Sequence, residues 1–424
     1  MRTTIYALVD CNAFFCSCER LFRPDLRKKA VGVLSNNDGC FVSRTKELKA
    51  LGIKMGEPYF KVKDICQKNN VHVFSSNFSL YTNISDRVML TLSEFTPELE
   101  VYSVDEAFLN LTGFEHLGIE SYARKIKATV EKNTGIPVSI GIGPTKTLAK
   151  IANHVAKNSD KAMGVVSLLE PKWQDIALQK VAVEDIWGVG KANAKKLRSL
   201  QIFTAKQFRD FKNDKLIQKL FTKVGLQIKE ELQGMPRFIL QVTADKKKQI
   251  MCSRTFGKPV FELQDLREAV ANYASSACEK LRAQNSICFS VEVFMRTSPF
   301  KNVEQYYATS RQNMLASTSD TRKVIKYAMQ VLDKLFRAGY EYKKAGVRLS
   351  NILEREQLQM SLFEIPDNTH SENLMNCMDA INARDGDGTI KVAACGLQDK
   401  AWAMNRKLKS PRYVTGWSEL KKIY

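Results

Sequence analysis

The segment VYSVDEAFLNL, residues 101–111, places two adjacent acids, Asp105 and Glu106, inside an otherwise apolar run. Apolar runs rich in aromatic and β-branched residues are typical of buried strands. A buried carboxylate without a partner destabilises the fold or takes up a proton. Whatever fold the chain adopts must therefore place positive charge beside this pair.

In a regular β-strand, adjacent side chains point to opposite faces of the sheet. Asp105 and Glu106 can therefore serve one site only if the chain turns or bulges at this point. A third acid, Asp10, ends the strand-forming run TIYALV of residues 4–9 and precedes the turn-prone pair CN. The sequence thus predicts Asp10 at one strand end and the acid pair near another.

These three acids fit a site for hard divalent cations, because Mg²⁺ prefers carboxylate oxygens and leaves positions for water and substrate phosphates. The alternative interpretation is a surface acid pair and an unrelated aspartate. The residues by themselves do not decide between these two interpretations.

The patterns in the first 157 residues alternate between strand and helix, which predicts an α+β layer with a sheet covered by helices. Strands are predicted within residues 4–15, 30–40 and 101–111 and at the start of 136–157. Helices are predicted within residues 43–56, as a short helix closed by Gly52, at 79–95 and 119–133, and at the end of 136–157.

The charge of the chain is strongly positive: 65 Lys and Arg stand against 45 Asp and Glu, a formal net charge of +20. Such an excess favours a polyanionic partner, nucleic acid or an acidic membrane surface, over a basic surface without one. The ten cysteines form no CxxC pair. The N-terminal apolar run is too short for a signal sequence or a membrane span. We therefore expect buried, reduced thiols and a cytoplasmic protein.

Residues 172–248 hold 17 basic and 8 acidic residues. Within them, the glycines of Gly188-Val189-Gly190 separate two helical patterns and precede a basic run that begins at Lys191. Glycines let a backbone turn approach phosphates closely, and the next helix offers free N–H groups. The pattern favours a helix-hairpin-helix on a DNA backbone; the alternative is a simple turn.

After this basic region, residues 250–350 show two strand-like runs and two helical runs, at 264–284 and 320–338, which predict a small α+β domain. Residues 351–399 hold three basic and nine acidic residues, whereas 400–424 hold seven basic and one acidic. This change of character predicts a separate C-terminal region.

Four segments, in this order and spacing, resemble the Y-family translesion DNA polymerases: DCNAFFCSCE (10–19), YSVDEAF (102–108), GIGPTKTLAKIANHVAK (141–157) and DIWGVGK (185–191). Four more are similar to the UmuC-type catalytic subunits of DNA polymerase V: CERLFRPDL (18–26), LSNNDGC (34–40), SSNFSLY (75–81) and CSRTFG (252–257). The resemblance covers nearly the whole chain.

The resemblance implies an α+β multidomain fold, a right-hand polymerase. Its domains are expected at 1–30 and 75–170 (palm), 31–74 (fingers), 172–240 (thumb with helix-hairpin-helix), 246–350 (little finger) and 351–424 (C-terminal partner-binding region). It implies error-prone, template-directed synthesis past damaged DNA within an SOS-type response, on primer-template DNA with deoxynucleotides. Each segment is already assigned, so we expect no proofreading exonuclease.

The resemblance also assigns roles to residues. The catalytic acids Asp10, Asp105 and Glu106, with the backbone carbonyl of Cys11, are expected to hold two Mg²⁺ ions. Phe15 falls at the position of the steric gate that excludes the ribose 2′-hydroxyl, and the alternative for Phe15 is a plain core residue.

Further residues are expected around the nucleotide. Lys157, Lys49 and Lys46 would bind the triphosphate, although many relatives carry Arg and Tyr where Lys49 and Lys46 stand. Val42, Ser43 and Ser103 would border the nascent base pair. Gly188, Gly190 and Lys191 would contact the DNA backbone.

The tail contains QMSLF (359–363), which resembles the bacterial peptide that binds the β sliding clamp. Leu362 and Phe363 would fill an apolar pocket while Gln359 makes a polar anchor; a buried turn is the alternative. The family also implies a UmuD′-type dimer and a RecA filament with ATP as partners, and nucleoid association on DNA.

Three other functions remain open from the residues alone. A DNA-binding scaffold without catalysis would not need the three acids and Lys157. A nucleotidyl cyclase would share paired metal-binding acids but not the helix-hairpin-helix or the net charge. A nuclease would use acids and Mg²⁺ without a steric gate.

Overall fold

The structure is a computed structural model, and it describes residues 4–243, 245–357, 367–396, 402–414, 416 and 419. The chain divides into two compact units. The first unit comprises Met1–Ser35, Cys40–Ala244 and Leu408–Tyr424, and the second comprises Asn36–Gly39 and Asp245–Lys407. The last segment of the chain therefore belongs to the same unit as its beginning.

The first unit contains two sheets and the helices that cover them. Its strands are β1 (Tyr6–Cys11), β2 (Val31–Leu34), β3 (Phe41–Arg44), β4 (His72–Ser75), β5 (Leu99–Val101), β6 (Glu106–Asn110), β7 (Val138–Gly143) and β8 (Val165–Ser167). Its described α-helices are α1 (Phe14–Leu21), α2 (Lys46–Ala50), α3 (Tyr59–Lys68), α4 (Phe78–Ser93), α5 (Ile119–Thr134), α6 (Lys146–Asn158), α7 (Pro171–Lys180), α8 (Lys191–Ser199), α9 (Ala205–Asp210) and α10 (Asp214–Leu232).

The larger sheet has the order β5-β6-β1-β7-β8, with β1 at its centre. All six residues of β1 are buried, because helices cover both faces. Alternate side chains of β1 divide between two cores. Ala7 and Val9 pack in the main core with α4 and α5, while Tyr6 and Leu8 pack beneath α6 with Phe108.

Helix α6 lies directly on the sheet because β7 carries glycines where the helix crosses it. A Cβ on Gly141 would stand 2.1 Å from the backbone nitrogen of Asn153 and 2.3 Å from the carbonyl oxygen of Ala149. The Asn153 amide donates to the Ser139 carbonyl oxygen at 2.7 Å and fixes the helix against the strand.

The smaller sheet, β3-β2-β4, has its own core with α2 and α3. Helices α7 to α10 form a separate all-helical core that also takes apolar residues from α6. The sequence predicted a short helix within 43–56 that ends at Gly52. The structure has this helix over Lys46–Ala50, with a left-handed Gly52 at a φ of +79° after it, whereas the residues up to Arg44 form a strand.

The second unit is a four-stranded antiparallel sheet covered by two helices. Its elements are β9 (Ile250–Val260), α11 (Leu263–Ala283), β10 (Ser286–Arg296), β11 (Tyr307–Thr318), α12 (Thr321–Leu335), β12 (Tyr342–Glu354) and α13 (Thr369–Asp385). The sheet order is β11-β10-β12-β9, and α11 and α12 pack on it in one continuous core. The predicted helices are confirmed, but the prediction of two strands was incomplete.

All ten cysteines are unpaired, and eight of them are buried, which confirms the prediction for the thiols. Among the described residues, every helix is too short or too polar to span a bilayer.

Candidate active site

Two of the predicted acids face each other across neighbouring strands. Asp10 of β1 pairs in antiparallel register with Glu106 of β6. Leu8 and Phe108, two residues away on each strand, point beneath α6, and side chains two apart share a face. Asp10 and Glu106 therefore both lie on the face that α6 covers. Asp10 is only 8% exposed, so it is a buried charge on this face.

The chain turns between β5 and β6, as the adjacent acids required. The backbone N–H groups of Tyr102 and Ser103 both donate to the Glu106 carbonyl oxygen at 3.1 Å. The Ser103 hydroxyl accepts from the Glu106 N–H at 3.0 Å and donates to the Asp105 carboxylate at 2.6 Å. The turn places Asp105 before the strand begins, and Ser103 holds its carboxylate.

The Asp105 carbonyl oxygen accepts a hydrogen bond from the Cys11 N–H at 2.8 Å, which joins the turn to the end of β1. The backbone of Cys11 therefore follows Asp10 in sequence and contacts Asp105 in space, while its thiol is buried in the main core. Ser103, which was expected near the nascent base pair, is placed by these contacts inside the acidic turn.

Two lysines of α6 supply the positive charge. The Lys157 ammonium lies 2.5 Å from the Asp10 carboxylate. The Lys150 ammonium lies 3.0 Å from both carboxylate oxygens of Glu106. Burial raises the pKa of Asp10 above its usual range, Lys157 lowers it and the Glu106 carboxylate raises it again, with a net rise. Burial therefore outweighs the attraction of Lys157 at Asp10.

An aromatic group surrounds Lys150. Its ammonium lies 4.4 Å from the centre of the Tyr102 ring and 5.5 Å from that of Trp187. The Trp187 indole N–H donates to the Tyr102 hydroxyl at 3.0 Å, and the two rings meet edge to face. The loop before α8 thus contacts the acidic turn through Trp187.

In the part of the chain that the structure describes, no three His, Cys, Asp or Glu side chains converge as a group that could hold a metal ion. Asp10 and Glu106 face each other, but the Asp105 carboxylate is turned onto Ser103. The donor set still fits a hard cation, because it consists of carboxylate oxygens on one buried face. Asp105 would join it by rotating away from Ser103.

A basic group lies on the smaller sheet and its helix. The surroundings of Lys49 remove water from its ammonium, and the charges of Arg44 and Lys157 are close enough to lower its pKa further. Lys46 is exposed and lies 3.9 Å from Asp160. Three predicted triphosphate lysines are therefore on one side of the first unit, and Arg44 joins them.

Phe15 lies in the first turn of α1, directly after a sharp turn at the end of β1. Ala13 has a left-handed φ of 45°, which is uncommon for a residue with a side chain. This turn sets the direction in which α1 leaves β1. The Phe15 ring is half-buried and stacks on Tyr81, with centroids 4.6 Å apart and planes 17° apart. Phe78 meets Phe15 edge to face at 5.9 Å.

Val42 and Ser43 lie on β3. Ser43 is buried, and its hydroxyl accepts from the Cys16 N–H at 3.3 Å. Val42 is half-buried against the main core. The two residues therefore connect the smaller sheet to α1, the helix that carries Phe15.

The predicted hairpin is formed by Gly188 and Gly190. Gly188 has a φ of +84°, and a Cβ there would stand 2.7 Å from the Ile228 side chain, so this turn requires glycine. Gly190 caps α8, whose first residue, Lys191, is exposed. The element before the hairpin is a single 3₁₀ turn, Val183–Asp185, rather than the α-helix that the pattern suggested.

Several site residues were not predicted from the sequence: Lys150, Tyr102, Trp187, Arg44 and Tyr81. Lys150 stands seven residues before Lys157 on the same helix, so its shared face was readable from helical periodicity. The others depend on contacts between distant segments. The predicted clamp motif, Gln359, Leu362 and Phe363, lies outside the described residues.

Comparison with protein families finds three matches along the chain. Residues 9–154 match the impB/mucB/samB family, residues 247–362 match the C-terminal domain of that family, and residues 372–423 match a domain of unknown function.

Comparison with individual proteins finds relatives that extend over the whole chain. Protein UmuC of Salmonella typhimurium is 43% identical over 425 residues, which cover 99% of this chain and 100% of the relative. Protein SamB of the same organism is 40% identical, with 98% and 99% covered. DNA polymerase IV of Clostridium kluyveri is 28% identical, with 91% and 96% covered.

Among solved structures, the chimeric Y-family DNA polymerase built from Dbh and Dpo4 matches with a TM-score of 0.66 and 23% identity. The match covers 83% of this chain and 100% of that one. The likeness confirms the expected fold.

Proposed function

The chain belongs to the impB/mucB/samB family and is a UmuC-type DNA-directed DNA polymerase of error-prone translesion synthesis; we propose that Asp10, Asp105 and Glu106 carry its nucleotidyl transfer. The observation that carries the proposal is the register of Asp10 against Glu106, with the Asp105 turn beside them. A buried carboxylate that faces a second, partly buried one has no structural purpose that a neutral pair would not serve better.

The family is metal-dependent, and we propose that two Mg²⁺ ions are held here by the three carboxylates and the Cys11 carbonyl. When bound, such ions lower the pKa of a primer 3′-hydroxyl and stabilise the leaving pyrophosphate. The residues of the chain orient the carboxylates that would hold these ions. Ser103 fixes the turn through the Glu106 N–H and keeps Asp105 within one side-chain rotation of the site.

The lysines bind the nucleotide in this proposal. Lys157 and Lys49 are close enough for their charges to interact, and Arg44 adds a third cation. A triphosphate that approaches Asp10 would therefore meet concentrated positive charge, which draws it in and stabilises the charge that develops on transfer. Lys46 is exposed, so it would contribute through long-range attraction.

Phe15 is proposed as the steric gate. Its ring is fixed on one side by Tyr81 and stays partly exposed on the other, so it can lie against a sugar without moving. The alternative, a plain core residue, is less well supported, because a core phenylalanine would be fully buried. Val42, Ser43 and Ser103 are proposed to border the nascent base pair.

The hairpin at Gly188 and Gly190, with Lys191, is proposed to hold the DNA backbone. The domain names follow the same proposal: palm 1–30 and 75–170, fingers 31–74, thumb 172–240, little finger 246–350 and a C-terminal region from 351. The absence of proofreading, the SOS role, the clamp, the UmuD′-type dimer and the RecA filament are likewise proposed from the family.

Primer extension opposite an abasic site, with Mg²⁺ and deoxynucleotides, tests the proposal. Asp105→Asn should abolish extension, whereas Asp86→Asn, the same change at an exposed position on α4, should not. The assay is run with and without clamp, UmuD′-type dimer and RecA filament. Extension that survives in Asp105→Asn refutes the site, and no extension by the native chain under any condition favours the scaffold.

A further inference from the structure

The C-terminal segment of residues 408–414 packs within the first unit, where it contacts α1 and the residues just before α4. Its backbone continues the smaller sheet. The Ser75 N–H donates to the Leu408 carbonyl oxygen at 3.0 Å, the Leu408 N–H donates to the Ser75 hydroxyl at 3.0 Å, and Ser75 forms a parallel bridge with Lys409. This segment falls within the match to a domain of unknown function.

Buried polar contacts fix the segment further. The side-chain amide of Asn77, which is 1% exposed, donates to the Ser410 hydroxyl at 2.9 Å and approaches the Pro411 carbonyl oxygen at 3.3 Å. Tyr413 stacks on Phe22 with centroids 4.6 Å apart and planes 3° apart. The segment therefore contacts the start of α4 and the end of α1.

Glu19 of α1 joins these contacts to the gate. The side chain is fully buried, and one carboxylate oxygen accepts from two hydroxyls, that of Tyr81 at 2.7 Å and that of Ser410 at 3.1 Å. The other oxygen has no hydrogen-bond partner among the described residues. Ser410 thus supplies one of the two hydrogen bonds that this buried carboxylate accepts from the described residues.

Tyr81 is the link to Phe15. Its hydroxyl is held by Glu19 while its ring supports the Phe15 ring at 4.6 Å. Tyr81 is fully buried and Phe15 is half-buried, so Phe15 has its rigid support on this side. Any shift of Tyr81 moves the surface against which Phe15 rests.

We propose that the C-terminal segment is a positioning device for the steric gate: Ser410, acting through Glu19 and Tyr81, fixes the Phe15 ring and so sets discrimination against ribonucleotides. The inference rests on the proposed gate role of Phe15. Ser410, Glu19 and Tyr81 are positioning residues, because they act through the Phe15 ring and touch no reacting group. This role would also explain why residues 408–414 belong to the same unit as the start of the chain.

The size of the effect follows from the contacts. Aromatic stacking contributes a preference of about threefold to tenfold for one ring arrangement. Ser410→Ala should therefore lower the ratio of kcat/KM for a deoxynucleotide to that for the matching ribonucleotide by about threefold to tenfold. Phe15→Ala should lower it much further, because it removes the ring itself.

The experiment measures this ratio in the full-length chain with primer-template DNA. The variants are Ser410→Ala, Phe15→Ala and Ser121→Ala, the last being an exposed serine of α5 that should leave the ratio unchanged. A role confined to stability would lower kcat for both nucleotides alike and would not move the ratio. Loss of discrimination in both Ser410→Ala and Phe15→Ala supports the inference.

The outcomes separate the two proposals. If Phe15→Ala loses discrimination and Ser410→Ala keeps it, the gate stands and the inference is wrong. If Phe15→Ala keeps discrimination, the gate assignment fails and the inference fails with it. Should Ser410→Ala not fold, Tyr81→Phe decides by the same ratio, because it removes the other hydroxyl on Glu19 while keeping the stacked ring; an unchanged ratio there refutes the inference.

Discussion

Replacing Glu19 with Gln should change how the stability of the first unit depends on pH. Burial raises the pKa of Glu19 from 4.5 to about 7, against the opposing hydrogen bonds from Tyr81 and Ser410. The folded state therefore binds this proton more tightly than the unfolded state. The stabilisation that this proton on Glu19 contributes is complete below pH 4.5 and is lost as the pH rises to about 7.

The magnitude follows from the same values. Each pKa unit corresponds to about 1.4 kcal/mol, so the loss between acidic and neutral pH is about 3 kcal/mol. The titratable side chains around Glu19 stay neutral in this range, because burial raises the pKa of Tyr81, Tyr413, Cys16 and Cys18. These side chains therefore do not change the direction in which stability varies with pH.

Thermal unfolding at pH 5 and pH 8 measures the effect. Between these pH values the native chain should lose roughly 6–12 °C more in Tm than Glu19→Gln, for a domain of this size. Any pH-independent cost of the glutamine cancels in this difference. Glu120→Gln, an exposed carboxylate of α5, should keep the native pH dependence. Equal pH dependence in the native chain and Glu19→Gln would refute the reasoning.

Three further changes give separate predictions. Lys150→Met should lower primer extension at least about tenfold, because it leaves Glu106 without its charge-assisted hydrogen bonds. Gly141→Ala should cost about 1–3 kcal/mol in unfolding free energy, since its Cβ would strike the backbone of α6 at 2.1 Å. Replacing Leu362 and Phe363 with Ala should weaken binding to the β sliding clamp, as measured by calorimetry.

Matched controls make these results decisive. Lys132→Met changes an exposed lysine of α5 and should keep primer extension, so equal losses in both lysine variants would argue against a role for Lys150. Gly190→Ala adds a Cβ with no atom within 4 Å, so it should be far less destabilising than Gly141→Ala. Unchanged clamp affinity would mean that the 359–363 motif does not bind the clamp.

The residues of the site were predictable to the extent that local sequence defines them. Asp105 and Glu106 are adjacent acids in an apolar run, and strand geometry alone required the turn that the structure has. The register that sets Asp10 against Glu106 was not predictable in this way, because it depends on which strands pair. No residue near Asp10 in sequence encodes that choice.

The missed strands have a similar explanation. The residues of β11, YATSRQNMLAST, are mostly polar and alternate between exposed and half-buried positions at the edge of the sheet. An edge strand with one solvated face has little apolar signal. The short helix predicted within 43–56 begins later than its pattern suggested, because pairing with β2 draws the residues up to Arg44 into a strand.

The place of the C-terminal segment in the fold could not be predicted from the sequence. The seven basic residues against one acidic in 400–424 suggested a separate region for partners, yet Ser410 is 5% exposed and donates to Glu19, 391 residues away. Charge and periodicity describe the exposed side chains of a segment, whereas its place in the fold depends on a few buried polar contacts. Such contacts leave no pattern in a single sequence, because one serine hydroxyl is enough to satisfy a buried carboxylate. The support of Phe15 is built from contacts of this kind, so it follows from the structure and not from the motifs that identify the catalytic acids.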